Sequence, residues 1–290
     1  MWMKAVFPLC LTLALLAGCG GTPADAGSSP SPSATPEPVE GAAPASLAED
    51  ETPDYVTLRL VDGAETGELV LAGEGAGEVY TLTVGELPVT VDGTEASAGD
   101  LTDGMMVTLA TNGLVLETYP ARFGDVYGLE AETPIGGSYT DLCGFYLKVL
   151  DDLWQVDSGL NSGITQAAVD LSQAPGNLTE GEKDALIWCF GRSHGVDAFA
   201  ATWDELAEGG YLTEAAAGEG PALYQWEDGC HFSITPHEGA EGEAYSLPVL
   251  RFDAEKHRSP LGAYFFYDCT AVWPEFGTWS DYQVGAEMIS

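Results

Sequence analysis

Short runs in which apolar and polar residues alternate fill the chain from 55 to about 130. They fall at 55–61, 68–71, 79–84, 89–91, 105–110 and 114–117. Alternation with a period of two turns one face of each run toward a core, so each is expected to be a strand. Turn residues separate them: Asp62-Gly63, Asp92-Gly93, Asp103-Gly104 and Asn112-Gly113. The last pair suits the positive φ angles of a type I′ hairpin turn, which would join the two strands flanking it. With no helical spacing among these strands, residues 55–132 are expected to form a small all-β domain, a closed barrel or a sandwich.

Beyond Gly137 the period changes. Leu142, Phe145, Tyr146, Val149 and Leu153 make one stripe, with Asp141, Lys148, Asp152 and Gln155 opposite, which predicts a helix over 139–154. Residues 164–171 alternate weakly and predict a strand. Thr179-Glu180-Gly181-Glu182 reads as a capping box opening a helix through Phe190, with Gly191 or Gly195 to end it. Thr202-Trp203-Asp204-Glu205 repeats the signal before a short helix closed by Gly209-Gly210. Strands are then expected at 230–235, 247–256, 263–272 and 282–288. Residues 138–290 therefore read as an α+β domain with an antiparallel sheet and two to three helices, the second of two domains.

The start of the chain follows a different logic. Lys4 is the only charge before an apolar run of 13 residues, 5–17. That run is too short to cross a bilayer as a helix, which takes about 20 residues, and it predicts a signal peptide over 1–18. Leu16-Ala17-Gly18-Cys19 resembles the lipobox of bacterial lipoproteins, which implies cleavage before Cys19 and a diacylglyceryl group on its sulfur. Residues 20–54 are rich in Pro, Ala, Ser, Gly and acid, with only Val39 and Leu47 as large apolar residues. Such a segment cannot bury enough to fold, so 19–54 is expected to be a lipidated cysteine and its tether, spanning on the order of 30 Å. The stretch 78–130 is similar to OB-like small barrels of uncharacterised Gram-positive lipoproteins, a resemblance that implies a fold and no activity. The second domain, including 263–271 and 285–290, resembles segments of the same kind of lipoprotein, again with no reaction implied.

Charge narrows the partners. The chain carries 46 acidic residues against 9 Lys and Arg, a net −37, and removal of 1–18 takes away only Lys4. A chain this acidic repels phosphate, and only Arg59 and Arg122 are basic between 55 and 130, so nucleic acid is not an expected partner.

Candidate chemistry is sparse. No metalloprotease helix, phosphate loop, dinucleotide loop, serine elbow or calcium loop has its usual spacing. The four histidines, 194, 231, 237 and 257, have no metal-ligand spacing with the cysteines, so no metal and no cofactor is expected. Cys230 and His231 are strand neighbours that point to opposite faces and cannot act as a dyad. Arg251, Lys256, His257 and Arg258 gather three of the nine Lys and Arg residues, and 224–282 holds 13 of the 29 aromatics. Together they suggest a place for a sugar or small anion, with Lys256, Arg258 and Asp268 as candidate ligand-binding residues. Asp268 alternates with Tyr264, Phe266, Thr270 and Val272, so its carboxylate is expected to need Lys256 or Arg258 as partner. Cys143 and Cys189 are expected to neighbour each other on two helices. Cys230 and Cys269 are expected to share a core face as the closest pair and the candidate disulfide.

These readings favour a non-catalytic protein of the cell envelope, lipid-anchored at the outer face of a bacterial cytoplasmic membrane and binding an envelope protein or glycan. The alternative is an extracytoplasmic hydrolase with its site in the α+β domain. Replacing Cys19→Ala should abolish incorporation of radiolabelled palmitate; label that persists in this variant would overturn the assignment of Cys19 as the lipid attachment residue.

Overall fold

A computed structural model describes residues 52–215, 223–238 and 249–290. The expected signal peptide, Cys19 and nearly all of the tether lie outside the described residues. The described part is β-rich, with two main sheets and three helices.

The alternating runs of the first half become β1 (Asp54–Asp62), β2 (Glu68–Ala72), β3 (Val79–Thr83), β4 (Val89–Val91), β6 (Met106–Thr111) and β7 (Val115–Leu116). The chain adds β5 (Thr94–Ala96), β8 (Arg122–Phe123) and β9 (Val126–Glu132). Seven of these form one sheet in the order β3-β2-β1-β6-β9-β4-β5, antiparallel except where β4 runs parallel to β9. Its inner side chains, Leu58, Leu60, Leu69, Leu71, Val107 and Leu109 among them, make one core. Asn112-Gly113 does not join β6 to β7 as a paired hairpin: β6 pairs with β1 and β9, while β7 pairs with β8. Gly113 alone of the pair takes a positive φ, 75°, and the chain leaves the sheet there.

The second half holds α1 (Cys143–Gln155), β10 (Gln166–Asp170), α2 (Glu180–His194), β11 (Asp197–Ala200), α3 (Trp203–Glu208), and a small hairpin of β12 (Thr213–Ala215) and β13 (Leu223–Gln225). It ends in β14 (Gly229–Pro236), β15 (Val249–Ser259), β16 (Gly262–Val272) and β17 (Ala286–Ile289). The six-stranded sheet runs β11-β10-β14-β15-β16-β17. It is mixed, which corrects the antiparallel expectation: β10 runs parallel to both β11 and β14. The cause is two crossovers that return the chain in the same direction, α2 between β10 and β11 and α3 with the β12–β13 hairpin between β11 and β14. Both capping boxes hold. The Thr179 hydroxyl accepts from Glu182 N and the Thr202 hydroxyl from Glu205 N, and Gly195 ends α2 in the left-handed region. Phe145, Tyr146, Leu150 and Leu153 of α1 and Leu186 and Phe190 of α2 cover one sheet face, meeting Cys230, Phe232, Ile234 and Phe252.

Helix α2 also belongs to the first sheet. A third cluster joins Val61, Val70, Ala72 and Val79 to Cys143, Ala185 and Cys189. At the start of α2 the Thr179 hydroxyl donates to Gly73 O at 3.0 Å, and Asp184 accepts from Gly77 N at 2.7 Å. Gly181 makes this approach feasible, since a Cβ there would lie 2.5 Å from Gly73 O.

One buried ion pair completes the junction. Arg59 on β1 donates through Nε to Glu182 Oε1 at 3.0 Å and through Nη1 to Gly104 O at 2.8 Å. The other Glu182 oxygen accepts from Thr179 N at 2.8 Å, closing the capping box. Asp141 lies beside them, accepting from Cys143 N at 3.0 Å, with burial pushing its carboxyl pKa up. Arg59→Ala would leave a buried carboxylate without its cation, and the protein should lose about 3–5 kcal/mol of stability in urea unfolding. A loss below about 1 kcal/mol would mean that solvent, and not Arg59, balances Glu182.

Candidate binding surface

The second sheet has two unlike faces, and β15 sets both. Its even positions, Leu250, Phe252, Ala254 and Lys256, are buried, while Arg251, Asp253, Glu255 and His257 are half-buried on the other side. Helix α3 covers one end of that second face, where Leu206 packs with Ala168 and Trp226.

Lys256 occupies a core position and is fully buried. Its ammonium donates to the carbonyl of Val156, to those of Trp154 at 3.4 Å and Asp157 at 3.3 Å, and to Asn161 Oδ1 at 3.1 Å. It therefore caps the carboxyl end of α1, where the helix dipole favours a cation. Burial lowers its pKa. Arg258 does related work two residues on, donating to Leu160 O and Ser162 O at 3.0 Å each and to the carbonyls of Trp226 and Glu227. Both cations thus bind backbone, and neither reaches Asp268.

Asp268 takes Arg251 as its partner, which corrects the pairing expected from the sequence. Arg251 Nε donates to Asp268 Oδ1 at 3.1 Å, with a second bond from Nη2. This hydrogen bonding holds the Asp268 carboxyl below its usual pKa. The reason is a β-bulge. Phe252 pairs with Cys269 but Ala254 with Phe266, so Tyr267 and Asp268 together face Asp253. Asp268 sits there with φ at 51°, and its amide donates to Asp253 Oδ1 at 2.8 Å. An extra residue reverses the side-chain alternation. Tyr264 and Phe266 are therefore in the core with Cys269 and Ala271, whereas Phe265 and Tyr267 stack on the outer face, ring centroids 5.5 Å apart and 8° from parallel.

His237 adds to this cluster. Its Nδ1 is 2.8 Å from Asp253 Oδ1 and its Nε2 is 3.7 Å from Asp268 Oδ1. Next along β15, Glu255 lies opposite Phe265, and burial pushes its carboxyl pKa up. The outer face so presents two stacked rings, a guanidinium, an imidazole and three carboxylates within neighbouring strand positions. Asp253, Glu255 and His237 were not among the expected site residues, whereas Arg251 belongs to the basic group at 251–258 that suggested a site. The signal for Asp253 and Glu255 was the polar parity of β15, Arg251-x-Asp253-x-Glu255, which marks a stretch of sheet face free of a covering helix.

A second concavity lies at the carboxyl ends of β10 and β11, a crevice of about 290 Å³ between the starts of α2 and α3. Its charged groups answer one another or the local turns: Lys183 meets Glu180 at 2.8 Å, Glu205 caps Thr202 N at 2.8 Å, and Asp170 accepts from Ser172 N at 2.9 Å.

The four cysteines among the described residues, Cys143, Cys189, Cys230 and Cys269, are buried free thiols. Cys143 and Cys189 fall in one cluster, as expected, and Cys230 and Cys269 do share a core face. They are not a close pair. Cys230 lies beside His257 O and Cys269 pairs with Phe252, so about five positions of β15, near 17 Å, separate them, and a bridge needs Cα atoms within about 7 Å. Burial pushes both thiols up to about 12, which leaves them protonated and unreactive. Cys230 and His231 point to opposite faces, and no dyad forms. Asp141, Cys143 and Glu182 bring three metal-ligand types within 4.8 Å, but the Arg59 guanidinium already occupies Glu182. His194 meets Asp151 at 2.7 Å and stacks on Trp154. Among the described residues no helix is long and apolar enough to cross a membrane.

No protein-family profile, curated protein or solved structure matches this chain. Its own geometry therefore carries the functional argument.

His231 offers a direct check of the α3-covered end. Burial lowers its pKa to about 4 from 6.5, and its Nε2 has no hydrogen-bond partner. The unfolded chain takes up this proton before the folded one does, so stability falls as pH drops from about 6.5 toward 4. Compared with His231→Gln, the native protein should lose about 2 kcal/mol more in urea unfolding between about pH 7 and pH 4.5. The comparison cancels the opposite contribution of Asp103, whose pKa burial raises to about 6. Equal losses would place the imidazole in contact with solvent.

Proposed function

We propose that this protein is a non-catalytic binding protein of the cell envelope, held by lipid on Cys19 at the outer face of a bacterial cytoplasmic membrane. Its ligand is an envelope glycan, taken on the outer face of the second sheet. The observation that carries this reading is the stacked Phe265–Tyr267 pair beside the Arg251–Asp268–Asp253 cluster. A sugar ring has apolar C–H faces that suit an aromatic platform and hydroxyls that suit carboxylate and guanidinium groups. Lys256 and Arg258, committed to the backbone, support the sheet that displays this surface. The first sheet, in the same reading, closes as a small OB-like barrel and forms a domain of its own over 55–132. The strong negative charge supports a neutral ligand over nucleic acid.

One observation favours the alternative, an extracytoplasmic hydrolase. Glu255 has a raised pKa and Asp268 a lowered one on the same face, the split that an acid and a base or nucleophile require in glycoside hydrolysis. The two readings separate in one experiment. Purified envelope glycan fragments are titrated calorimetrically into the protein, and new reducing ends are assayed in parallel. Tyr267→Ala should weaken binding about tenfold with the fold intact by circular dichroism, and no reducing ends should appear. Binding unchanged in both Tyr267→Ala and Phe265→Ala would overturn the binding site, and reducing ends that vanish in Glu255→Gln would establish the hydrolase.

A further inference from the structure

The β7–β8 hairpin has an unusual surface. Leu114, Val115, Leu116 and Tyr119 are exposed by 62%, 48%, 51% and 61%. Val115 and Leu116 point to opposite sides of β7 and are both exposed, so this arm stands clear of the first sheet. Its partner arm is fixed. Ala121 N donates to Val79 O at 2.8 Å, Thr81 N donates to Ala121 O at 3.0 Å, and Phe123 stacks on Tyr80 with ring centroids 4.7 Å apart. Gly124 N donates back to Leu114 O at 2.8 Å. Four apolar side chains are thus held out on a braced support, not on a loose tip.

The place where the chain enters the fold suggests what covers them. β1 begins at Asp54, which pairs with Thr111. A Cβ on Gly113 would lie 2.2 Å from Asp54 Oδ2, so the chain arriving from Cys19 joins the fold against the base of this hairpin. A second exposed aromatic, Tyr55, follows directly. On the proposed lipid anchor, the 35 residues from 20 to 54 set a root-mean-square distance on the order of 30 Å between the leaflet and the base of the hairpin. At that range even a weak apolar contact is populated, because the tether sets a high effective concentration of lipid surface.

The geometry points to the hairpin 114–119 as a second membrane contact, seating its apolar side chains in the outer leaflet of the membrane that holds the anchor. Leu114, Val115 and Leu116 would enter the acyl boundary, and Tyr119 suits the interface, where an apolar ring carries a polar tip. A second copy of this chain is a poorer occupant, since the tether holds the leaflet, and not another copy, close to the hairpin. Repulsion from anionic headgroups is screened beyond about 8 Å at physiological salt, which leaves a short-range apolar contact in place. The docked hairpin would hold the folded part in one orientation and turn a free radius into a fixed height above the bilayer.

The inference rests on the lipid anchor, and its test separates the two. The full lipidated chain carrying Val115→Cys is labelled with the environment-sensitive fluorophore NBD; the four native thiols of the folded part are buried and protonated. A parallel chain carries Glu208→Cys on α3, which lies on the face of the second sheet away from α1 and α2. Both are reconstituted into phosphatidylcholine vesicles with and without phosphatidylglycerol, and flotation reports the anchor. The expected result is that both chains float, that NBD at 115 shifts to the blue and brightens, and that lipid-borne spin labels quench it, while NBD at 208 stays aqueous. Chains that float with NBD at 115 still aqueous would overturn the hairpin contact and leave the anchor standing. NBD at 115 shielded from iodide but not quenched from the lipid would assign the hairpin to a protein partner and overturn the membrane contact. Chains that fail to float would overturn both.

Discussion

The arrangement of both sheets depends on a single guanidinium. Arg59 enters from β1, Glu182 from the first turn of α2, and Asp141 from the approach to α1, so three separate parts of the chain meet around one cation. Two carboxylates buried together repel, and in a chain with 37 more acids than bases nothing nearby would relieve them. Arg59 does so while also holding Gly104 O, and Glu182 uses its second oxygen to cap its own helix. The apolar cluster around Val70 and Cys189 supplies the area of the junction, and the charge group supplies its register.

The same scarcity of cations explains the second sheet. Carboxylates are abundant in this chain, yet Lys256 and Arg258 both bind main-chain carbonyls around 154–162 and 226–227. A carbonyl cluster at a helix end favours positive charge, and Lys256 supplies it at the end of α1. The consequence reaches the outer face. Arg251 is left as the guanidinium among Asp253, Glu255 and Asp268, so this stretch of the outer face is acidic around one fixed positive centre.

Much of this fold was legible in the sequence, and the exceptions have physical causes. The capping boxes at Thr179 and Thr202 placed two helices because an N-cap is a local interaction, complete within four residues. The strands with clean alternation, such as β1, β6 and β15, were found for the same reason. Direction was not, since β10 runs parallel to its neighbours because of where α2 and then α3 return the chain, and no residue inside β10 records that. Lys256 defeated pattern reading by occupying an apolar position on a long stem, with its partners about a hundred residues away. Asp268 was recognised as a carboxylate needing a partner, but the partner was wrong because the bulge at Asp253 has no sequence mark. Without that bulge, strict alternation would put Phe265 and Tyr267 on the core face of Cys269.

That bulge behaves as a change of reading frame within one strand. Before Tyr267 the even positions of β16 face the core, and after Asp268 the odd ones do. Loss of either residue would remove the extra position and restore one unbroken alternation, with Tyr264 and Phe266 still facing the core on one side and Cys269 and Ala271 on the other. Loss of both together would turn one flank, Cys269 and Ala271 or Tyr264 and Phe266, toward solvent. The ladder that displays the ring pair thus tolerates the removal of one residue at this point better than the removal of two.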